Sequence, residues 1–217
     1  MDKPSRFSQV AVAGSRATTS GTNASGTAAV PNTTGVSIQI SAGSVVGGTA
    51  VTAARNVISG NESVGVAVNY DETATANVIS GNYIGTNATG TAAIPNRTGI
   101  YLSSAPGNVV GGLAAGSRNV ISGSLNPGFG VGIAYETANG TSFRAISSAS
   151  PPTALRSSAT AARGMFVSGG ASDNVIGGPA ANAGNTIACN LDGVQILQET
   201  SLPGISRGNL VSRNTIH

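Results

Sequence analysis

The sequence predicts an all-β fold, a parallel β-helix in which short strands stack as successive coils of a solenoid. Three observations predict it. The first is composition: the 217 residues include 31 Gly and no Trp, and only 9 % are charged. Val and Ile supply most of the aliphatic side chains, and Asn, Thr, Ser and Ala fill much of the rest. β-Branched residues favour strands, whereas Gly and Asn punctuate turns. A helical protein would need more Leu, Glu and Lys, and Lys3 is the single lysine. The second observation is a fixed internal period, the mark of a repeat architecture. The third is a set of short alternating apolar runs, each too short to bury its apolar side alone.

The period is read from three recurring texts. Thr22-Asn-Ala-Ser-Gly-Thr-Ala-Ala-Val-Pro-Asn-Thr-Thr-Gly35 returns, nearly unchanged, from Thr86 to Gly99, so the copies are offset by 64 (99 − 35). Val45-Val-Gly-Gly48 returns at Val109–Gly112 and as Val175-Ile-Gly-Gly178. Arg55-Asn-Val-Ile-Ser-Gly60 returns at Arg118–Gly123 and, more loosely, at Asn185–Asn190. Inside the unit, Asn56-Val-Ile-Ser-Gly-Asn61 and Asn77-Val-Ile-Ser-Gly-Asn82 are offset by 21 (77 − 56). Gly35-Val-Ser-Ile38, Gly65-Val-Ala-Val68 and Gly99-Ile-Tyr-Leu102 are the alternating strands. On this spacing each 64-residue unit is expected to form about three coils, each as long as that inner offset. Val57, Val78 and Val120 are then expected to stack in the interior, with Asn56, Asn77 and Asn119 as one amide ladder at a corner.

The text from Asn77 to Asn96, followed by Gly99-Ile-Tyr-Leu102 and Asn108-Val-Val-Gly-Gly112, resembles repeats of large bacterial surface and secreted proteins. Those proteins belong to the right-handed parallel β-helix class, the pectin-lyase-like superfamily. The resemblance covers most of 22–140 and 164–217. It implies a right-handed solenoid. For function it implies little, because that superfamily holds lyases, hydrolases, epimerases, adhesins and inert stalks.

Two stretches break the repeat. The repeat expects Ile-Ser-Gly-Asn-Tyr-Ile-Gly before Thr22, and the chain has Ser15-Arg-Ala-Thr-Thr-Ser-Gly21. The first two letters of Ala, Thr and Gly codons are fixed. Reading each third letter into the next two across Ala17–Gly21 gives codons compatible with Gly-Asn-Tyr-Ile-Gly. The same shift across Ala145-Ile-Ser-Ser-Ala149 is compatible with Gly-Asn-Phe-Ile-Gly, and it continues in repeat-like text through Thr160. We read both stretches as out-of-frame, the alternative being genuine divergent loops, with the frame regained by Gly164. The expected organisation is therefore an irregular segment at 1–21, coils over 22–140, an irregular loop over 141–163, and truncated coils over 164–217. Arg16, Arg144, Arg156 and Arg163 belong to the shifted text, so the net charge of +3 carries no nucleic-acid inference.

Candidate chemistry is sparse. Glycoside hydrolysis needs two carboxylates flanking one bond. Glu72, Glu136 and Glu199 recur at offsets of 64 (136 − 72) and 63 (199 − 136). Three coils per unit would set them about 14 Å apart. They read as a repeated turn position. Lyases of the resembled superfamily use Lys, Arg or His beside a carboxylate. Here Lys3 sits near the first residue and His217 is the last. No catalytic set, metal site or cofactor is expected. Tyrosine pairs an apolar ring with a polar edge and can stack on a sugar. Tyr70 and Tyr135 fall at equivalent places, each followed by acids, so Tyr70, Asp71, Glu72, Tyr135 and Glu136 form the expected ligand-binding set.

The expected function is a non-catalytic structural or adhesive segment of a bacterial cell-surface or secreted protein, contacting polysaccharide or other cell-surface components. The alternative is a remnant of a polysaccharide lyase or glycoside hydrolase. No stretch approaches the ~18 apolar residues of a membrane span, and Met1–Val12 is a poor secretory signal. Asn209–Ile216 matches Asn77–Ile84 and the chain stops one residue later, so a fragment prone to end-to-end self-association is expected.

Overall fold

A computed structural model describes residues 18–48, 55–69, 72–122, 124–125, 127–144, 147–148, 162–187, 190–198 and 205–216. Among the described residues, nineteen short strands, numbered along the chain, form three parallel sheets. The first sheet stacks β1 (Thr19–Ser20), β4 (Val57–Ile58), β7 (Tyr83–Ile84), β10 (Val120–Ile121), β13 (Ser147–Ser148), β16 (Thr186–Ile187) and β19 (Thr215–Ile216). The second stacks β2 (Thr34–Gln39), β5 (Val64–Asn69), β8 (Thr98–Ser103), β11 (Phe129–Ala134), β14 (Arg163–Ser168) and β17 (Val194–Ile196). The third stacks β3 (Val45–Gly47), β6 (Val78–Ser80), β9 (Val109–Gly111), β12 (Ser142–Arg144), β15 (Val175–Gly177) and β18 (Leu210–Ser212). Each turn visits the three sheets in order, so the fold is a parallel β-solenoid.

The register corrects the expected coil length. Along the first sheet Thr19 pairs with Val57, Val57 with Tyr83, and Tyr83 with Val120, so long and short steps alternate. Turns average about 33 residues, the separation of Thr141 and Asn174, which hydrogen-bond between adjacent turns. A repeat unit therefore holds two turns, one long and one short, instead of three equal ones. Long turns carry an extended loop between the first and second sheets (21–33 and 85–97), where the short turn has only the brief connection 59–63. In the loops at 22–30 and 86–94, Asn23 and Asn87 each accept backbone N–H groups through Oδ1, from Thr27 and Ala28 and from Thr91 and Ala92. The two loops touch across the short turn, where Ala88 N–H donates to Gly26 O at 3.0 Å.

The inner echo that suggested three coils is two strands of one turn. Val57 pairs with Tyr83, but Val78 pairs with Val45 and Val109 in another sheet. The expected Val57–Val78–Val120 stack does not exist, and the inward residue is the isoleucine that follows. The core is lined by Ile58, Ile84, Ile121 and Ile187 from the first sheet and by Val46, Ile79, Val110, Phe143 and Ile176 from the third. The second sheet adds pairs such as Val66 and Val68 or Ile100 and Leu102. Burying each such side chain contributes roughly 1.5–3 kcal/mol.

The single expected amide ladder is three. Before the first sheet, Asn56 Nδ2 donates to Asn82 Oδ1 at 3.0 Å, and Asn82 N–H donates to Asn119 Oδ1 at 3.0 Å. Before the third sheet, Asn77 N–H donates to Asn108 Oδ1 at 2.9 Å, and Asn174 N–H to Asn209 Oδ1 at 3.0 Å. Before the second, Asn61 N–H donates to Asn96 Oδ1 at 2.9 Å. Corner backbone groups cannot pair within a sheet, and the buried amides satisfy them. Within 141–163, β12 and β13 take places in the sheets, as does Arg163 in β14. Residues 149–161 and 1–17 of the two segments read as irregular lie outside the described residues.

Candidate functional site

The second sheet has the longest strands, and its outward face is where side chains gather. Strand alternation sends Val36 and Ile38, and their equivalents, into the core. Ser37, Ala67, Tyr101, Gly132, Phe166 and Gln195 therefore share the opposite face in one file. Beside this file runs a column of glycines, Gly35, Gly65, Gly99, Gly130 and Gly164. A Cβ at Gly99 would lie 2.5 Å from Gly130 O, and one at Gly65 2.6 Å from Gly99 O. The turns therefore approach one another at this column as only glycine allows.

Aromatic rings occupy the middle of the face. Phe129 and Phe166 stack with centroids 4.5 Å apart and planes 3° apart. The Arg163 guanidinium lies over Phe166, 5.3 Å from its centroid, and its Nε is 3.3 Å from Asp192 Oδ2. Tyr101 flanks the bare Cα of Gly132, where a Cβ would stand 2.9 Å from its ring. Tyr101 is half-buried, so part of its ring remains in contact with solvent. Asn69 Oδ1 and Gln195 Oε1, at outward positions of β5 and β17, are buried and accept no hydrogen bond from the described residues.

Of the residues singled out from sequence, Glu72, Tyr135 and Glu136 lie at the end of this face. Tyr135 directly follows β11; it is 44 % exposed, at φ 76°. That left-handed conformation turns the chain from the second sheet toward the third, as it does at Ile40 and Ser104 after β2 and β8. Glu136 is exposed beside Tyr135, and Glu72 is exposed in the corresponding turn after β5. Tyr70 and Asp71 lie outside the described residues, as does Glu199. The two-turn unit also corrects the carboxylate spacing. Equivalent positions such as Glu72 and Glu136 stand two strand spacings apart, about 9.6 Å along the solenoid, in place of the expected ~14 Å. No group of three or more His, Cys, Asp or Glu side chains able to hold a metal gathers among the described residues.

Sequence reading missed the Phe129–Phe166–Arg163 group. Phe129 is far from the other two along the chain, and the three meet only because Val131 pairs with Met165 across β11 and β14. Tyr83 is on the first sheet, with the Arg55 guanidinium 4.8 Å from its ring centroid. No family model, curated protein or solved structure matches the chain.

Proposed function

We propose that this chain is a structural and adhesive segment of a bacterial cell-surface or secreted protein, with no catalysis of its own, whose second sheet and its edge contact polysaccharide. In this reading it is a right-handed parallel β-helix of the pectin-lyase-like type, as its repeat text resembles. The observation that carries the binding reading is the outward file of the second sheet. It sets the half-buried rings of Tyr101 and Phe129 on the outward side of the second sheet, with the buried Phe166 stacked on Phe129. Sugar rings present C–H faces that stack on aromatic side chains. Tyr135, Glu136 and Glu72 extend that surface along one edge, and Tyr70 and Asp71 adjoin Glu72 in sequence. Affinity electrophoresis through gels containing polyuronide or neutral glucan tests it. The chain should be retarded by at least one of these, and Tyr101→Ala should weaken retention about 3- to 10-fold, for ~0.5–1.5 kcal/mol of ring contact. Unretarded migration through both gels would sink the reading.

A second reading is favoured by one observation. Two turns set Glu72 and Glu136 about 9.6 Å apart along the axis, just above the roughly 6.5–9.5 Å that separates the carboxyls of inverting glycoside hydrolases. A remnant of a polysaccharide lyase or hydrolase is the alternative. New reducing ends or unsaturated uronides on incubation with these polysaccharides would establish it, and retention without product would exclude it for those substrates.

A further inference from the structure

Two strands of the first sheet depart from its pattern. In the others, asparagine precedes the strand (Asn56, Asn82, Asn119, Asn185, Asn214) and isoleucine ends it (Ile58, Ile84, Ile121, Ile187, Ile216). In β1 the corresponding residues are Thr18 and Ser20, and in β13 they are Ile146 and Ser148. These two strands fall within the two stretches whose codons, read one nucleotide out of step, are compatible with the repeat.

We infer that Thr18–Ser20 and Ile146–Ser148 are one structural triplet, Asn–aromatic–Ile, misread twice, and that this misreading deprives the first sheet of two ladder rungs and two core side chains. The pairing register and the codon shift are independent, and they agree residue by residue. Thr19 and Ser20 pair with Val57 and Ile58, and the shift permits Tyr and Ile at 19 and 20. Ser147 and Ser148 pair with Thr186 and Ile187, and the shift permits Phe and Ile at 147 and 148. The shift permits Asn at 18, and Thr18 N–H already donates to Asn56 Oδ1 at 3.2 Å, as a ladder residue does. It also permits Asn at 146, one residue before β13.

The alternation of turns supplies a further check. After β13 a long turn is due, and the segment 149–162 that separates β13 from β14 is just one residue longer than the loops at 21–33 and 85–97. Counted from Ile84, Gly90 is the sixth residue and Asn96 the twelfth. Counted from Ser148, the shifted text permits Gly at the sixth place and Asn at the twelfth, positions 154 and 160.

The full chain carrying Ile146→Asn and Ser148→Ile should melt higher by on the order of 5 °C, and Thr18→Asn with Ser20→Ile should raise it again. The same chemistry displaced by one residue, Ser147→Asn with Ala149→Ile, is the control and should not raise it. An unchanged or lowered melting temperature in the in-register variants, or an equal rise in the control, would overturn the inference. The encoding DNA gives a second readout. Aligned with the codons for 77–99, it should show single-base gains or losses bracketing both stretches, and an uninterrupted alignment overturns the inference.

Discussion

Asn56-Val-Ile-Ser-Gly-Asn61 and Asn77-Val-Ile-Ser-Gly-Asn82 are identical in sequence and lie on different sides of the solenoid. Locally they behave alike. Each opens with a buried asparagine, sends one isoleucine into the core, and turns at a glycine with φ of +74° or +69°. They part at the last residue. Asn61 N–H donates to Asn96 Oδ1 in the ladder before the second sheet, whereas Asn82 N–H donates to Asn119 Oδ1 in the ladder before the first. After Asn61 the chain runs through Glu62 and Ser63 to the long strand β5, while after Asn82 it enters the short strand β7 at once. The hexapeptide thus specifies a strand and a left-handed corner. The length and apolar pattern of the next segment decide which side of the solenoid it occupies.

The comparison breaks most severely at the corner glycines. A Cβ at Gly81 would approach Gly48 O and Gly116 O, at 2.2 and 2.8 Å, and Gly60 would meet Gly21 O at 2.6 Å and the Ala29 methyl at 2.8 Å. Gly81→Ala should cost about 3–5 kcal/mol, combining left-handed strain with two backbone clashes. Gly60→Ala should cost less, since one of its obstacles is a side chain. Urea denaturation of both variants orders them, and equal losses would show that backbone crowding does not differ between the two corners. Ile58→Ala and Ile79→Ala should each lose roughly 2–5 kcal/mol, and by similar amounts, because both side chains are fully buried in the same core. A difference well beyond the error of the denaturation curves would contradict that equivalence.

Asn82→Ala strips the ladder that receives Asn56 Nδ2 and leaves Val46 O without its 3.0 Å donor, so a loss of about 1–3 kcal/mol is expected. Faster amide exchange at Asn56 and Val57 would confirm its origin. The smallest effect has the opposite sign. Ala76, just before the second copy, has φ 55°, where Gly43, Gly107, Gly140 and Gly208 stand in other turns. Ala76→Gly should stabilise by about 1 kcal/mol, relieving left-handed strain at some entropic cost. A lower midpoint would refute the strain.

The same pair of copies explains what was legible in the sequence. Strands and corners were readable because Asn, Gly and the Val-Ile pair each have local physical reasons for their places. The number of turns was not, because Asn56 and Asn77 look like rungs of one ladder when only their text is compared. Their true neighbours, Asn82 and Asn108, are fixed by pairing across 26 and 31 residues. The candidate face divides the same way. Tyr135 and Glu136 could be found by repeated text, but Phe129, Phe166 and Arg163 meet only through the register of β11 and β14.

The contact of Ala88 with Gly26 spans a short turn that tucks beneath two long loops. A lineage of such repeats could not lengthen or shorten by one turn without setting two long loops where one strand spacing of ~4.8 Å leaves room for only the shorter connection. Duplications and deletions that survive should therefore come in steps of the whole repeat unit, so the solenoid keeps count of its history in pairs of turns.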